Sequence, residues 1–174
     1  MGVSYWKADA ETLEMAGEII EEHRPDLARA EINIGVLVAL SDNDDGHPLK
    51  VGGWPCEARV SVVSLKNRAL GCPDALIEID GSVWRELNEV QRKALLHHEI
   101  HHIELAEPGK EDEGYRTDDL GRPVVKLRHH DYQCGGFREI HELYGNDSPE
   151  RRGLNAAEEA LNQRVFQFAT AEAV

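Results

Sequence analysis

The chain has 174 residues, enough for one domain with a substantial core, and 41% of them are hydrophobic. A formal net charge of -14, with no Lys/Arg run to offset it, disfavours bulk electrostatic binding of nucleic acid or of an anionic membrane surface. Three widely spaced cysteines, Cys56, Cys72 and Cys134, make neither a disulfide framework nor a Cys-x-x-Cys zinc ribbon.

The spacing predicts a first helix over residues 8–22, with Asp9 as N-cap and Leu13, Ala16, Gly17 and Ile20 on one face; Pro25 ends it. Residues 31–40 are apolar and partly β-branched and read as a buried strand. Within them 32–40 is the longest apolar stretch, too short to span a bilayer. With no basic-then-apolar pattern in residues 1–7, the expected location is the cytoplasm. Residues 41–46 form an acidic turn. Its alternating acids lack the twelfth-position glutamate of a calcium loop, where Gly53 stands, so a solvated turn is expected.

Residues 57–63 read as a second strand and 64–70 as a short helical turn before Gly71-Cys72-Pro73. A third strand follows over 74–80, with Ala75, Ile77 and Ile79 on one side, and Gly81-Ser82 breaks it. Asn88 caps the next helix, and Gln91 three residues later completes a capping box. Val90, Ala94, Leu95 and Ile103 supply its buried stripe, and Pro108-Gly109 stops it.

A hairpin is expected over 115–127, turning around Asp118-Asp119-Leu120-Gly121. A further helix is expected over 131–144, with Phe137, Ile140 and Tyr144 at helical spacing and Gly145-Asn146 as its close. From Ser148 the character changes. Leu154, Ala157, Leu161, Val165 and Phe168 recur on one helical face, so 148–174 reads as an amphipathic helix, docked on the core or used for self-association or a partner. Residues 1–147 form the main domain.

The capped helix carries His97-His98-Glu99-Ile100-His101-His102. His98-Glu99-x-x-His102 is the zinc-binding signature of the zincin metallopeptidases. On a helix, positions i and i+4 point to nearly the same side, so two imidazoles can grip one ion. Glu99 then lies close enough to take a proton from the attacking water. The interleaved pair His97 and His101 would leave Glu99 on the wrong side. These two are expected to be solvated bystanders, or at most supports for the ligands. Zinc catalysis needs a third protein ligand and an open position. The downstream candidates are His129, His130, Asp131, Glu139 and His141, with Asp131 also suited to cap the following helix. Tyr115, Tyr132 and Tyr144 are candidates to stabilise an oxyanion.

Several stretches resemble the putative phage metallopeptidase family. They are the N-terminal helix ending at His23-Arg24-Pro25, Val83-Trp84-Arg85-Glu86-Leu87, Ala94-Leu95-Leu96-His97-His98-Glu99, His130-Asp131, Phe137 and Tyr144-Gly145. The similarity runs from about Trp6 to Gly145. It departs from the family pattern at His101 and at Gln133-Cys134-Gly135-Gly136. The resemblance implies an α+β, zincin-like fold: a small twisted mixed sheet packed against the active-site helix, with flanking N- and C-terminal helices. It implies Zn2+ held by His98, His102 and His130, Glu99 as general base, and hydrolysis of a protein or peptide substrate. The strand over 74–80 is the expected edge of the cleft.

Two other readings stand beside this one. A deformylase-like zinc hydrolase would take an upstream cysteine ligand, and Cys72 is the candidate, although Pro73-Asp74 does not match that motif. A non-catalytic zinc-containing binding module would use the same histidines but has no need of Glu99.

Overall fold

The outermost strand is one that hydropathy conceals. In β1 (Val3–Lys7) only Ser4 is even half-buried, and Tyr5 and Trp6 face solvent. The strand exists because it pairs antiparallel with β2 (Ile34–Ser41), Val3 opposite Ser41 and Lys7 opposite Leu37. The computed structural model describes residues 2–42, 46–110, 114–130, 137–149 and 151. Its two compact units are Met1–His129 and His130–Val174.

In the first unit Asp9 accepts a hydrogen bond from the Thr12 amide at 2.9 Å and caps α1 (Ala10–His23), as its sequence position suggested. The buried face is Thr12, Ala16 and Ile19, one step round from the expected stripe, and Leu13 is exposed. Pro25 ends α1 and opens the short α2 (Pro25–Arg29). After β2 come the two-residue strands β3 (Lys50–Val51) and β4 (Trp54–Pro55), which pair with each other, then β5 (Ala58–Val62) and α3 (Leu65–Ala69).

The main sheet runs β1-β2-β6-β5, with β6 spanning Ala75–Asp80. It is mixed: β6 is parallel to β2, Ile34 opposite Ala75, and antiparallel to β5, Val60 opposite Ile77. This corrects the expectation for 74–80. Ile77 and Ile79 are fully buried in the interior of the sheet, and its edge strands are β1 and β5. The other face of β6 carries Leu76 and Glu78, both half-buried, and Glu78 pairs with Arg59 of β5 at 2.7 Å.

Asp80 then accepts from the Ser82 amide and caps α4 (Gly81–Glu86), a helix that the Gly-Ser break had hidden. Gly81 is required there by space. A Cβ would sit 2.6 Å from Val38 Cγ1 and 2.7 Å from Leu40 Cδ2. Next comes α5 (Glu89–His101), which shares the core with α1 and the sheet. It stops seven residues before Pro108. Ile103 is buried as expected, but on β7 (Ile103–Leu105) rather than on the helix, and Val90 is exposed. β7 pairs antiparallel with β8 (Val125–Leu127). The expected hairpin over 115–127 survives as a turn at Asp118–Gly121 with one bridge, Thr117 to Pro123. The partner of β8 is β7.

In the second unit α6 (Arg138–Tyr144) buries Ile140, and Gly145, with a positive φ of 55° that favours glycine, closes it into one 3-10 turn, Gly145–Asp147. The helix expected over 131–144 thus begins only at Arg138, after an extended Phe137; residues 131–136 and the amphipathic segment from Leu154 lie outside the described residues. Among the described residues no helix is long and apolar enough to cross a membrane. The architecture is α+β, with a small mixed sheet and several helices.

Candidate metal centre

The helix α5 is fixed at both ends. At its start, Asn88 Oδ1 accepts from the Gln91 amide at 2.9 Å, and Gln91 Oε1 accepts from the Asn88 amide at 3.1 Å. Every residue from Ala94 to His101 is buried. At its end, Arg24 Nη1 donates to the Ile100 carbonyl at 3.0 Å and satisfies one of the acceptors a helix terminus leaves over. Arg24 is itself held by both carboxylate oxygens of Asp26, at 3.0 and 2.8 Å. Burial works against the Asp26 charge, but this guanidinium outweighs it and keeps the carboxyl below its usual range.

His98 and His102 fall one turn apart on this rigid rod, their ring centroids 5.1 Å apart and the rings nearly perpendicular. The Nδ1 of His102 lies 2.8 Å from the Arg128 carbonyl oxygen. A carbonyl only accepts, so Nδ1 carries the proton and Nε2 presents its lone pair outward. That is the tautomer a metal ligand needs. Glu99, beside His98, is 5% exposed. Its charge is felt at Cys56, just ahead of β5: burial first, then the Glu99 carboxylate, push that thiol up. The strand that follows Cys56, β5, packs against α5.

The β7–β8 ladder explains how a third histidine comes within reach. Its last pair is Ile103 opposite Leu127. One step on, the Arg128 amide donates to the His102 carbonyl at 2.7 Å. Residue 130 is two residues further, and two residues span at most about 7 Å. The ring nitrogens of His98, His102 and His130 lie within 4.8 Å of one another, a group that could hold a metal ion. His130 in turn packs edge-on against Phe137, centroids 5.0 Å apart, and Phe137 is fully buried.

Three neutral nitrogen donors, one with its tautomer set by a backbone carbonyl, suit a divalent metal of the zinc type. Among the described residues no other such group of three is present. His129 is exposed, Glu139 and His141 belong to α6, and Asp131 and Tyr132 fall outside the described residues. Cys72, the ligand a deformylase-like site would need, is an exposed thiol after α3 and is not in the group.

His97 and His101 are not solvated. They are 0% and 4% exposed, and His97 stacks on His23 of α1 with centroids 4.6 Å apart. His101 Nε2 lies 3.0 Å from Nη1 of Arg128. The back of the motif is thus core, a role its charge and polarity gave no reason to expect. Burial first, then electrostatic repulsion from the neighbouring His23, His101, Arg24 and Lys93, pulls the His97 imidazole from 6.5 to about 3. The sign follows from linkage. The unfolded chain takes up a proton near 6.5 while the folded chain refuses it until about 3, so stability falls as pH drops through that window. Metal-free wild type should lose more thermal stability between about pH 7 and about pH 4.5 than metal-free His97→Leu, measured by calorimetry. Equal losses would remove His97 as the cause.

Residues 4–162 of the chain match the family described as "Putative phage metallopeptidase". No curated protein and no solved structure matches the chain.

Proposed function

Because the chain belongs to the putative phage metallopeptidase family, we propose that it is a zinc-dependent peptidase with His98, His102 and His130 as ligands and Glu99 as general base. The convergence of three imidazoles beside a buried glutamate carries this reading. We take the α+β core as zincin-like on the same ground: the sheet packs on the helix that bears the His-Glu-x-x-His motif.

A bound zinc ion would supply Lewis acidity, polarising the scissile carbonyl and making a water nucleophilic near neutral pH. The chain's own residues do the rest. His98, His102 and His130 would hold the ion, the three protein donors that a catalytic zinc site requires. Glu99, on the same helical turn as His98, takes the proton of the attacking water and returns it to the leaving amine. The rigid helix holds Glu99 within reach at little entropic cost.

Among the described residues no strand of the main sheet lies beyond β5, and β5 packs against α5. An extended protein or peptide substrate would add along that edge through backbone hydrogen bonds, which select conformation more than sequence. The net charge of -14 supports neither a nucleic-acid nor a membrane partner. The segment over 148–174 is the candidate for self-association or a partner, and the cytoplasm, of the host for a phage-encoded chain, is the expected compartment.

The test is metal analysis of the purified protein beside cleavage of an unfolded protein substrate. The expected result is about one zinc per chain, with cleavage abolished by a chelator and restored by zinc. Cleavage that persists without metal would refute the peptidase reading. Bound zinc with no cleavage would favour the non-catalytic module.

A further inference from the structure

We infer that His101 and Arg128 are positioning residues for the ligand His102 and set metal affinity without touching the ion. The inference rests on His102 being a ligand. Arg128 grips the end of α5 by three bonds. Its amide donates to the His102 carbonyl at 2.7 Å, its carbonyl accepts from His102 Nδ1 at 2.8 Å, and its Nη1 lies 3.0 Å from His101 Nε2.

A guanidinium has no acceptor, so His101 Nε2 must accept and its Nδ1 must carry the ring proton. The two neighbouring histidines therefore share one tautomer, with the proton on Nδ1 in both, imposed by the backbone and the side chain of one arginine. Glu104 Oε1 stands 4.0 Å from Arg128 Nε, so the guanidinium lies between an imidazole and a carboxylate.

The position of Arg128 in the ladder gives this clamp its significance. The β7–β8 pairing ends at Leu127, and Arg128 is the first residue past it. Beyond a ladder end, the direction of a carbonyl is not fixed by sheet hydrogen bonds. Here the side chain folds back onto His101, which is 4% exposed and held in the helix. A buried ring is a fixed point, and through Arg128 it fixes the carbonyl that sets the His102 tautomer. The additional histidine inside the motif is thus the anchor of this clamp.

The test compares His101→Leu, His101→Gln, Arg128→Met and the His101→Leu/Arg128→Met double variant. Zinc affinity is read by chelator competition and ligand geometry from the visible spectrum of the cobalt-loaded protein. His101→Leu and Arg128→Met should each weaken zinc by about 10- to 100-fold, the usual range for a group that orients a ligand, and alter the cobalt spectrum. Glutamine can accept from Arg128 through Oε1, so His101→Gln should recover most of the affinity and the wild-type spectrum. The double variant should be no weaker than the weaker single variant, because both act through one path. Unchanged affinity in Arg128→Met, or additive losses with glutamine no better than leucine, would overturn the inference. If His101→Leu fails to fold, Arg128→Met decides alone, since that side chain is 32% exposed. His102→Ala separates the two levels: zinc retained there would overturn the ligand assignment itself.

Discussion

Glu99→Gln is expected to bind zinc as wild type does and to hydrolyse peptide about 10^2- to 10^4-fold more slowly, the range a positioned general base contributes. The substitution keeps the shape of a side chain that is 5% exposed within the packed turn of α5, so the fold has no reason to change. It removes the basic carboxylate alone. Metal content measured beside kcat separates this from a structural effect, because a site that only holds zinc would be indifferent to the change. Wild-type turnover in Glu99→Gln would transfer the base to another group. The Cys56 thiol, pushed up first of all by burial, is not suited to that role.

The same helix is legible in the sequence at one end and not at the other. Its start was legible because a capping box is a local pattern, and the ligand pair was legible because i and i+4 spacing is local too. Its end was not. Ile103-Glu104-Leu105 continues an apolar spacing that suits a helix as well as a strand, and only pairing with Val125–Leu127 makes it a strand. Edge and centre were confused for the same reason. The order β1-β2-β6-β5 depends on contacts between segments distant in sequence, and nothing local to residues 74–80 distinguishes an inner strand from an outer one. His97 and His101 were misjudged because a histidine pair carries no signal of burial. Its partners, His23 on α1 and Arg128 after β8, lie far away along the chain.

His130→Ala is expected to lose zinc and, with it, hydrolysis. A structural site of four ligands binds zinc with about 10–16 kcal/mol, a few kcal/mol per ligand, so removing one of three should weaken binding at least about a hundredfold. The fold of the first unit should persist, since residue 130 is exposed and the β7–β8 ladder closes before it. Zinc analysis after gel filtration and a circular dichroism melt report the two quantities separately. Tight zinc in His130→Ala would move the third ligand to His129, Asp131, Glu139 or His141. Loss confined to His130→Ala would establish a ligand that the chain reaches only by way of Arg128.

The early stop of α5 at His101, with His102 as its C-cap, has an electrostatic consequence. The peptide dipoles of the helix add to roughly half a negative charge at its carboxyl end, and the effect is confined to the last turn. His98 and His102 both fall within that turn, so a divalent cation would sit at the negative pole of a thirteen-residue helix. The interaction of one charge with such a pole is worth about 0.3–1 kcal/mol when exposed and up to about 2 kcal/mol when partly buried. Had the helix run on to Pro108, the same two imidazoles would lie mid-helix, where the field of the aligned peptides is small. Ending the helix at its second ligand lets the backbone add to the affinity for the ion.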